Sequence, residues 1–350
     1  MSMYHLASAR EAGQAAPNAF PEGTMTANRK KLLLPQAMSE AGWNVARARE
    51  DVEVVGFHDL TPEAEFRAML ADVDGVLLWG RPFRAGDIAA APNLKAVARI
   101  GVGYDAVEVP ALDARKIPLL IAGTANSVTV AEHAIYFMMH LAKRGFDQHE
   151  FVRTGRWRDK MQAPIVDLFG KTLLIIGFGK IGTRVAARCL AMEMTVLVHD
   201  PYIAQDVIRA RGCIPAPDLN AALAKADFVT IHCPKTPGTV GLINAERLAC
   251  MKKTAFLVNT ARGGIIDEPA LYAALTTGGI AGAGLDVFAQ EPVEPENQIP
   301  HLPNVITAPH MAGVTLESLD RMAVTAVQNA LSVLDGRPNM ENVVNTAVFG

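Results

Sequence analysis

KTLLIIGFGKIGTRVAARCLAMEMTVLVHDP, residues 171–201, decides the fold. An apolar run at 173–176 leads into Gly177, Gly179 and Gly182 in GxGxxG spacing, followed by a helical segment, a second apolar run at 195–198 and Asp200. Strand, glycine turn, helix, strand and acid in that order are the signature of a dinucleotide-binding βαβ unit. Gly177 lets the chain turn sharply out of the strand, Gly179 lets backbone approach a pyrophosphate, and Gly182 lets helix and strand pack closely. The helix N-terminus adds unpaired N–H groups and a positive dipole for the phosphates. Asp200 lies 23 residues beyond Gly177, where a carboxylate accepts hydrogen bonds from ribose hydroxyls and repels a 2′-phosphate, which favours NAD(H) over NADP(H). GxGxxG alone also fits a glycine-rich turn in an unrelated α/β protein, and the flanking strand, helix and acid weigh against that.

The chain of 350 residues is long enough for two domains with their own cores. Half of it is hydrophobic and a fifth charged, the balance of a globular protein. A net charge of −3 offers no general attraction for nucleic acid or an anionic membrane, so the expected partner is a small-molecule substrate. Cys189, Cys213, Cys233 and Cys250 show neither a CxxC pair nor clustered Cys/His spacing; they read as free thiols in a reducing compartment, with no metal site expected. No apolar run is as long as a membrane span, and residues 1–28 lack the apolar stretch of a secretory signal, so a cytoplasmic protein is expected. Those 28 residues, with no periodicity, read as a disordered segment or an upstream-start extension, with Met25 as an alternative start.

Ahead of the glycine motif, strands are expected at 31–35, 52–57, 74–78 and 93–100, with helices from Met38 and from Pro62 to about Leu70. The alternation gives an α/β fold with a parallel sheet, whose ligands sit beyond the carboxyl ends of the strands. There Gly101-Val102-Gly103 either turns backbone N–H groups towards an anion or is a plain tight turn. Residues 126–143 form a long amphipathic helix with an apolar stripe of Ala131, Ala134, Ile135, Met138, Met139 and Leu141; Ser127 is its expected N-cap, and Glu132 and His133 read as structural. Beyond the motif, strands are expected at 227–232, 254–259, 281–287 and 305–307, each ending in polar or glycine-containing residues. A last helix spans 316–334, and Gly336, Pro338 and Asn345 mark a loose tail.

Moving a hydride to or from an oxygenated carbon needs a proton donor or acceptor beside that oxygen, and a 2-oxo acid also needs a fixed cation for its carboxylate. Arg262 is the cation, able to bind a carboxylate through two parallel N–H···O bonds. His310 is the acid/base, and Glu291, if adjacent, orients the imidazole and raises its pKa. Singly, each has a plainer reading: a surface cation, a packed histidine after Pro309, a solvated glutamate before Pro292.

Their spacing adds to this. Gly177-x-Gly179-x-x-Gly182, then Asn259-Thr260-Ala261-Arg262-Gly263, Asp286-Val287-Phe288 with Glu291-Pro292, and Pro309-His310-x-x-Gly313 resemble the D-isomer-specific 2-hydroxyacid dehydrogenases. The likeness runs from about Lys31 to the C-terminus and includes Gly101 to Asp105, residues 126–133 and Gly155-Arg156-Trp157. The resemblance implies two doubly wound α/β domains with parallel sheets, a Rossmann dinucleotide-binding domain (residues 127–309) inserted into a flavodoxin-like substrate domain (29–126 and 310–350). It implies that Arg262, Glu291 and His310 are the catalytic set, that Val102 and Gly103 offer backbone to the substrate carboxylate, and that Asp286 meets the nicotinamide carboxamide. Further NAD contacts would fall on Lys180, Ile181, Pro234, Thr239, Thr260, Ala261 and Gly313. It also implies a homodimer with the helix after Asn126 near the interface.

Relatives that use 3-phosphoglycerate carry an arginine where this chain has Trp79, which places that substrate below other small 2-oxo acids such as glyoxylate, hydroxypyruvate or an aryl- or alkyl-pyruvate. Arg81 and Arg84 are near enough in sequence to compensate, and Trp79 either lines the pocket or packs under the cleft. On the same scaffold, phosphite oxidation and a dinucleotide-sensing interaction protein stay open, whereas the Glu–His pair argues against formate oxidation.

Overall fold

The computed structural model describes residues 29–161 and 165–350; the expectation for residues 1–28 lies outside them. The first sheet holds β1 (Lys30–Pro35), β2 (Val52–Phe57), β3 (Gly75–Leu78), β4 (Ala96–Arg99) and β5 (Leu119–Leu120), all parallel in the order β2-β1-β3-β4-β5. Between them run α1 (Glu40–Arg47), α2 (Glu63–Met69), α3 (Ala85–Ala89) and α4 (Val109–Ala114). A parallel sheet is covered on both faces, so its strands read as unbroken apolar runs. Leu32, Leu33 and Leu34 are all fully buried and alternate in direction. Leu33 joins Phe66, Leu70 and Val97 on one face, while Leu32 and Leu34 join Leu77 and Ala98 on the other.

After α5 (Ser127–Lys143) and α6 (Gly145–Arg153) comes the second sheet: β6 (Thr172–Ile176), β7 (Thr195–His199), β8 (Ile214–Pro215), β9 (Phe228–Ile231), β10 (Phe256–Asn259), β11 (Gly282–Leu285) and β12 (Val305–Thr307). All are parallel, in the order β12-β11-β10-β9-β6-β7-β8, so the strand order reverses between β6 and β9. Its connecting helices are α7 (Gly182–Ala191), α8 (Gln205–Arg209), α9 (Leu219–Leu223), α10 (Ala245–Cys250) and α11 (Glu268–Thr276). Helix α5 seats on this sheet through Ala134, Phe137, Met138 and Leu141. Gly284 of β11 makes room, since a Cβ there would lie 2.9 Å from Phe137.

The chain then returns to the first sheet. Helix α12 (Leu316–Leu334) packs Met322, Ala323, Ala326 and Val327 against the face holding Leu32, Leu34 and Ala98. The two crossings between the sheets meet where Gly313 sits against the Asn126 side chain. Arg321 straps that junction, donating to the Ala125 carbonyl at 2.8 Å and the Thr129 hydroxyl at 3.2 Å.

Several expectations need correction. Asn126, not Ser127, holds the N-cap position of α5; Ser127 is already helical, and its hydroxyl donates to the Thr124 carbonyl. Met139 points outward at 36% exposure, and Phe137 takes the core position. The tail is not loose. Asn345 is buried, its amide accepting from Leu119 N–H at 2.8 Å and donating to Asp113 and to the Ile117 carbonyl, and Val343 bridges Leu120 antiparallel. Strands β5 and β8 and helices α3 and α4 were not foreseen. The strand expected at 93–100 starts only at Ala96, and the helix expected from Met38 starts at Glu40.

Candidate active site

The loop between β6 and α7 behaves as its glycines require. Gly177 has φ +97°, and a Cβ on it would lie 2.6 Å from the Cys233 nitrogen, so the turn is pressed against the end of β9. A Cβ on Gly182 would run into the Gly177 carbonyl, whereas at Gly179 it would meet nothing within 4 Å. Open space above Gly179 at the start of a ten-residue helix is a cradle that suits a pyrophosphate. Ile181 occupies the N-cap position of α7, with Lys180 exposed beside it.

Asp200, one residue past β7, accepts from Phe178 N–H at 2.7 Å through one oxygen and from Tyr202 N–H at 2.9 Å through the other. The carboxylate thus splints the glycine-rich loop, and each oxygen keeps a further lone pair for a ribose hydroxyl. A cavity of about 290 Å³ adjoins it, lined in part by Val198, Ile203, Ile208 and Pro217. Across the crevice, the Thr239 hydroxyl donates to the Pro234 carbonyl at 2.7 Å, closing the loop after β9. Thr260 is buried with a hydroxyl that has no partner among the described residues, an orphan a bound group would satisfy. Its neighbour Ala261 donates to the Asn259 side chain at 3.0 Å.

That Asn259 side chain also donates to the Arg262 carbonyl at 2.9 Å, so a single amide folds residues 259–262 into the turn that projects Arg262. Gly263 keeps this turn against the next one, because a Cβ there would overlap the Phe288 carbonyl. Arg262 reaches the first sheet: its Nε donates to Asp105 at 3.0 Å, its Nη1 to the Ala261 carbonyl at 2.7 Å, and its guanidinium lies over Gly103, where a Cβ would collide with it.

His310 stands in the left-handed region, φ +55°, a strained conformation for a residue with a Cβ. The hydrogen bonds that hold it there come from Asp286. The Asp286 carbonyl accepts from His310 N–H at 2.8 Å, and its buried carboxylate accepts from Met311 N–H at 2.7 Å and Ala312 N–H at 2.9 Å. Burial pushes the Asp286 carboxyl up, against those backbone bonds and the nearby His133 and His310. Asp286 is therefore engaged with the histidine loop through both oxygens, more than the expected carboxamide contact alone requires.

The His310 Nδ1 lies 2.7 Å from a Glu291 oxygen, whose other oxygen accepts from Phe288 N–H at 2.9 Å. The hydrogen bond to Glu291 raises the imidazole pKa above its ordinary value, assisted by the charges of Glu291 and Asp286 and opposed by burial and Arg262. Burial would lift the Glu291 carboxyl, but the bonds from His310 and Phe288 outweigh it and hold it low. With Nδ1 committed, Nε2 is the nitrogen free to exchange a proton with a ligand.

Trp79 is half-buried against the cluster that α12 closes. Arg81 is spent on structure, donating to the Asp59 and Thr61 carbonyls and stacking over Phe66, so it does not stand in for a cation at position 79. Among the residues not singled out beforehand, Asp105 is the arginine's partner, and Arg99 donates to the Gly103 and Trp79 carbonyls. Asp105 was visible in the Gly101–Asp105 motif; nothing in the sequence marked Arg99, a cation closing an apolar strand.

Residues 135–312, half of the chain, match the family model described as D-isomer specific 2-hydroxyacid dehydrogenase, NAD binding domain. A D-3-phosphoglycerate dehydrogenase of Synechocystis sp. is 38% identical over 310 residues, 88% of this chain and 55% of that relative. A glyoxylate reductase of Thermofilum pendens is 37% identical over 316 residues, 88% of this chain and 92% of that relative. Among solved structures, a D-lactate dehydrogenase from Aquifex aeolicus complexed with NAD and lactic acid superposes with a TM-score of 0.78 at 26% identity, covering 89% of this chain and 98% of that one. The chain spans about half the length of the phosphoglycerate dehydrogenases it matches, 55% and 49% of the first two.

Proposed function

The chain belongs to the D-isomer-specific 2-hydroxyacid dehydrogenases, and on that premise we propose that it transfers a hydride between NAD(H) and a D-2-hydroxy acid or its 2-oxo acid. One observation carries the reading: a histidine with a carboxylate 2.7 Å from Nδ1 shares a crevice with an arginine that leans on Gly103. Gly177, Gly179, Lys180, Ile181 and Gly182 hold the pyrophosphate, Asp200 the ribose, and Pro234, Thr239, Thr260, Ala261, Asp286 and Gly313 the remainder of the dinucleotide. The bound nicotinamide supplies or accepts the hydride. Arg262 and the N–H groups of Val102 and Gly103 bind the substrate carboxylate and so fix which face of the carbonyl is presented. In reduction, protonated His310 gives its Nε2 proton to the carbonyl oxygen, and Glu291 stabilises the imidazolium beforehand. Residues 127–309 act as the dinucleotide domain, with 29–126 and 310–350 as the substrate domain.

The preferred substrates are small 2-oxo acids such as glyoxylate and hydroxypyruvate. Trp79 in place of a cation, with Arg81 committed elsewhere, disfavours a phosphorylated side chain. The protein works as a cytoplasmic homodimer: its four cysteines are free thiols, and Tyr136, Phe146 and Trp157 leave an apolar surface on and after α5. The test is steady-state turnover of glyoxylate, hydroxypyruvate, pyruvate, phenylpyruvate and 3-phosphohydroxypyruvate, each with NADH and with NADPH. Turnover of one or two unphosphorylated acids with NADH is expected; turnover of none of the five would overturn the reading.

A further inference from the structure

The catalytic reading leaves one largely buried cation unused. Arg99 closes β4, and its side chain turns inward, Nε donating to the Gly103 carbonyl at 3.0 Å and Nη1 to the Trp79 carbonyl. Among the described residues no carboxylate lies in ion-pair contact with it; Asp59 and Asp105 act on it from farther away. A guanidinium whose partners are carbonyl oxygens keeps its full positive charge, and a buried charge without a counter-ion is costly. Burial and the nearby Arg262 both oppose that charge and bring Arg99 down to about 10, with Asp59 and Asp105 only partly offsetting them.

Both arginines converge on one residue. Arg262 lies where a Gly103 side chain would be, and Arg99 holds the Gly103 carbonyl. Two like charges flanking one turn repel each other, and an anion between them would relieve that repulsion. Such an arrangement is preorganised for an anion, because its cost is met in folding and relieved on binding. Arg99 also fixes Trp79 through the main chain, so the cradle and the residue expected to bound the pocket hang from one side chain.

We propose that Arg99 is a positioning residue that sets affinity for the substrate carboxylate, bracing the Val102–Gly103 turn and adding a second positive charge beside the one Arg262 supplies. Taking that carboxylate to be a 2-oxo acid's rests on the function proposed above.

Oxalate, an unreactive dicarboxylate, reads the cradle without turnover. Its affinity for the NADH-saturated full chain is measured by calorimetry for the wild type, Arg99→Met and Arg99→Lys, alongside KM, kcat and NADH affinity. Arg99→Met is expected to weaken oxalate and raise the KM of the 2-oxo acid by about tenfold, with kcat changed less than about threefold and NADH affinity unchanged. Arg99→Lys keeps the charge and is expected to recover most of the oxalate affinity at neutral pH. That recovery should fade as pH rises, because a buried lysine sheds a proton that arginine retains, while Asp59, Asp105 and Arg262, the charged groups that act on position 99, are the same in every variant. Oxalate affinity unchanged in Arg99→Met, or falling in step with NADH affinity, would overturn the proposal. If Arg99→Met does not fold, Arg99→Lys decides: an oxalate profile against pH identical to the wild type would equally overturn it. Failure of the wild type to bind oxalate counts against the cradle itself, whereas oxalate binding without turnover of any 2-oxo acid would fault the proposed function alone.

Discussion

Replacing Arg262 by alanine separates substrate binding from cofactor binding. Of the five N–H groups of the guanidinium, one goes to Asp105 and one to the Ala261 carbonyl, which leaves the outer edge of the fork for a carboxylate. Two charge-assisted hydrogen bonds at about 1.5–3 kcal/mol each amount to about 3–6 kcal/mol, a loss of about 10²–10⁴ in kcat/KM for a 2-oxo acid. Stability should change little. The Arg262–Asp105 pair has an aspartate side chain 66% exposed, so solvent screening limits it to about 0–1 kcal/mol. The assay pairs steady-state kinetics with a fluorescence titration of NADH and a thermal melt. Expected are a large loss of kcat/KM, an NADH affinity within about twofold of wild type, and a melting temperature within a few degrees. Arg262→Lys should recover only part of the loss, because an ammonium keeps the charge without the planar fork. A parallel loss of NADH affinity, or a kcat/KM loss under about tenfold, would refute the assigned role.

Other perturbations bear on the remaining parts of the site. Glu291→Gln removes the carboxylate that raises the His310 pKa, so the imidazole holds its proton less tightly. The rate of 2-oxo acid reduction should then fall away at lower pH than in the wild type, and oxidation should set in at lower pH; coincident pH–rate profiles would disprove the coupling. Asp200→Ala should raise the ratio of NADPH to NADH efficiency by about tenfold, about 1.4 kcal/mol, as repulsion of a 2′-phosphate is lost. It also strips Phe178 and Tyr202 N–H of their acceptor, so NADH affinity itself should fall. An unchanged cofactor ratio would mean that another group guards the ribose. Asn345→Ala deletes three hydrogen bonds of a buried amide and should cost about 2–4 kcal/mol, lowering the melting temperature by several degrees with kcat near wild type. An unaltered melt would show that the tail does not brace β5.

What the sequence disclosed follows from how local the causes are. The glycine loop was legible because each glycine answers a constraint within a few residues of itself or at the neighbouring strand end, and Leu32 to Leu34 because a strand buried on both faces needs an unbroken apolar run. Arg262, Glu291 and His310 stood out through the spacing of strand-end motifs, but their mutual geometry depends on backbone crossings such as Gly263 against Phe288. Features fixed over long separations were hidden. Residues 335–350 looked like a tail because glycine, proline and asparagine also mark turns, yet Asn345 bonds Leu119, 226 residues away. Two-residue strands such as β5 and β8 are too short for any periodicity. Asp286 was expected at the nicotinamide, and its larger duty, gripping the strained His310 turn through three backbone N–H groups, is a property of the folded loop.

Hydride transfer and its stereochemistry are tested most directly by reducing glyoxylate or pyruvate with NADH carrying deuterium at both C4 positions and locating the label in the product. Deuterium is expected at C2 of the hydroxy acid, as the D isomer when pyruvate is used, with no label in the solvent. Oxidation of NADH without deuterium at C2, or an L product from pyruvate, would contradict it.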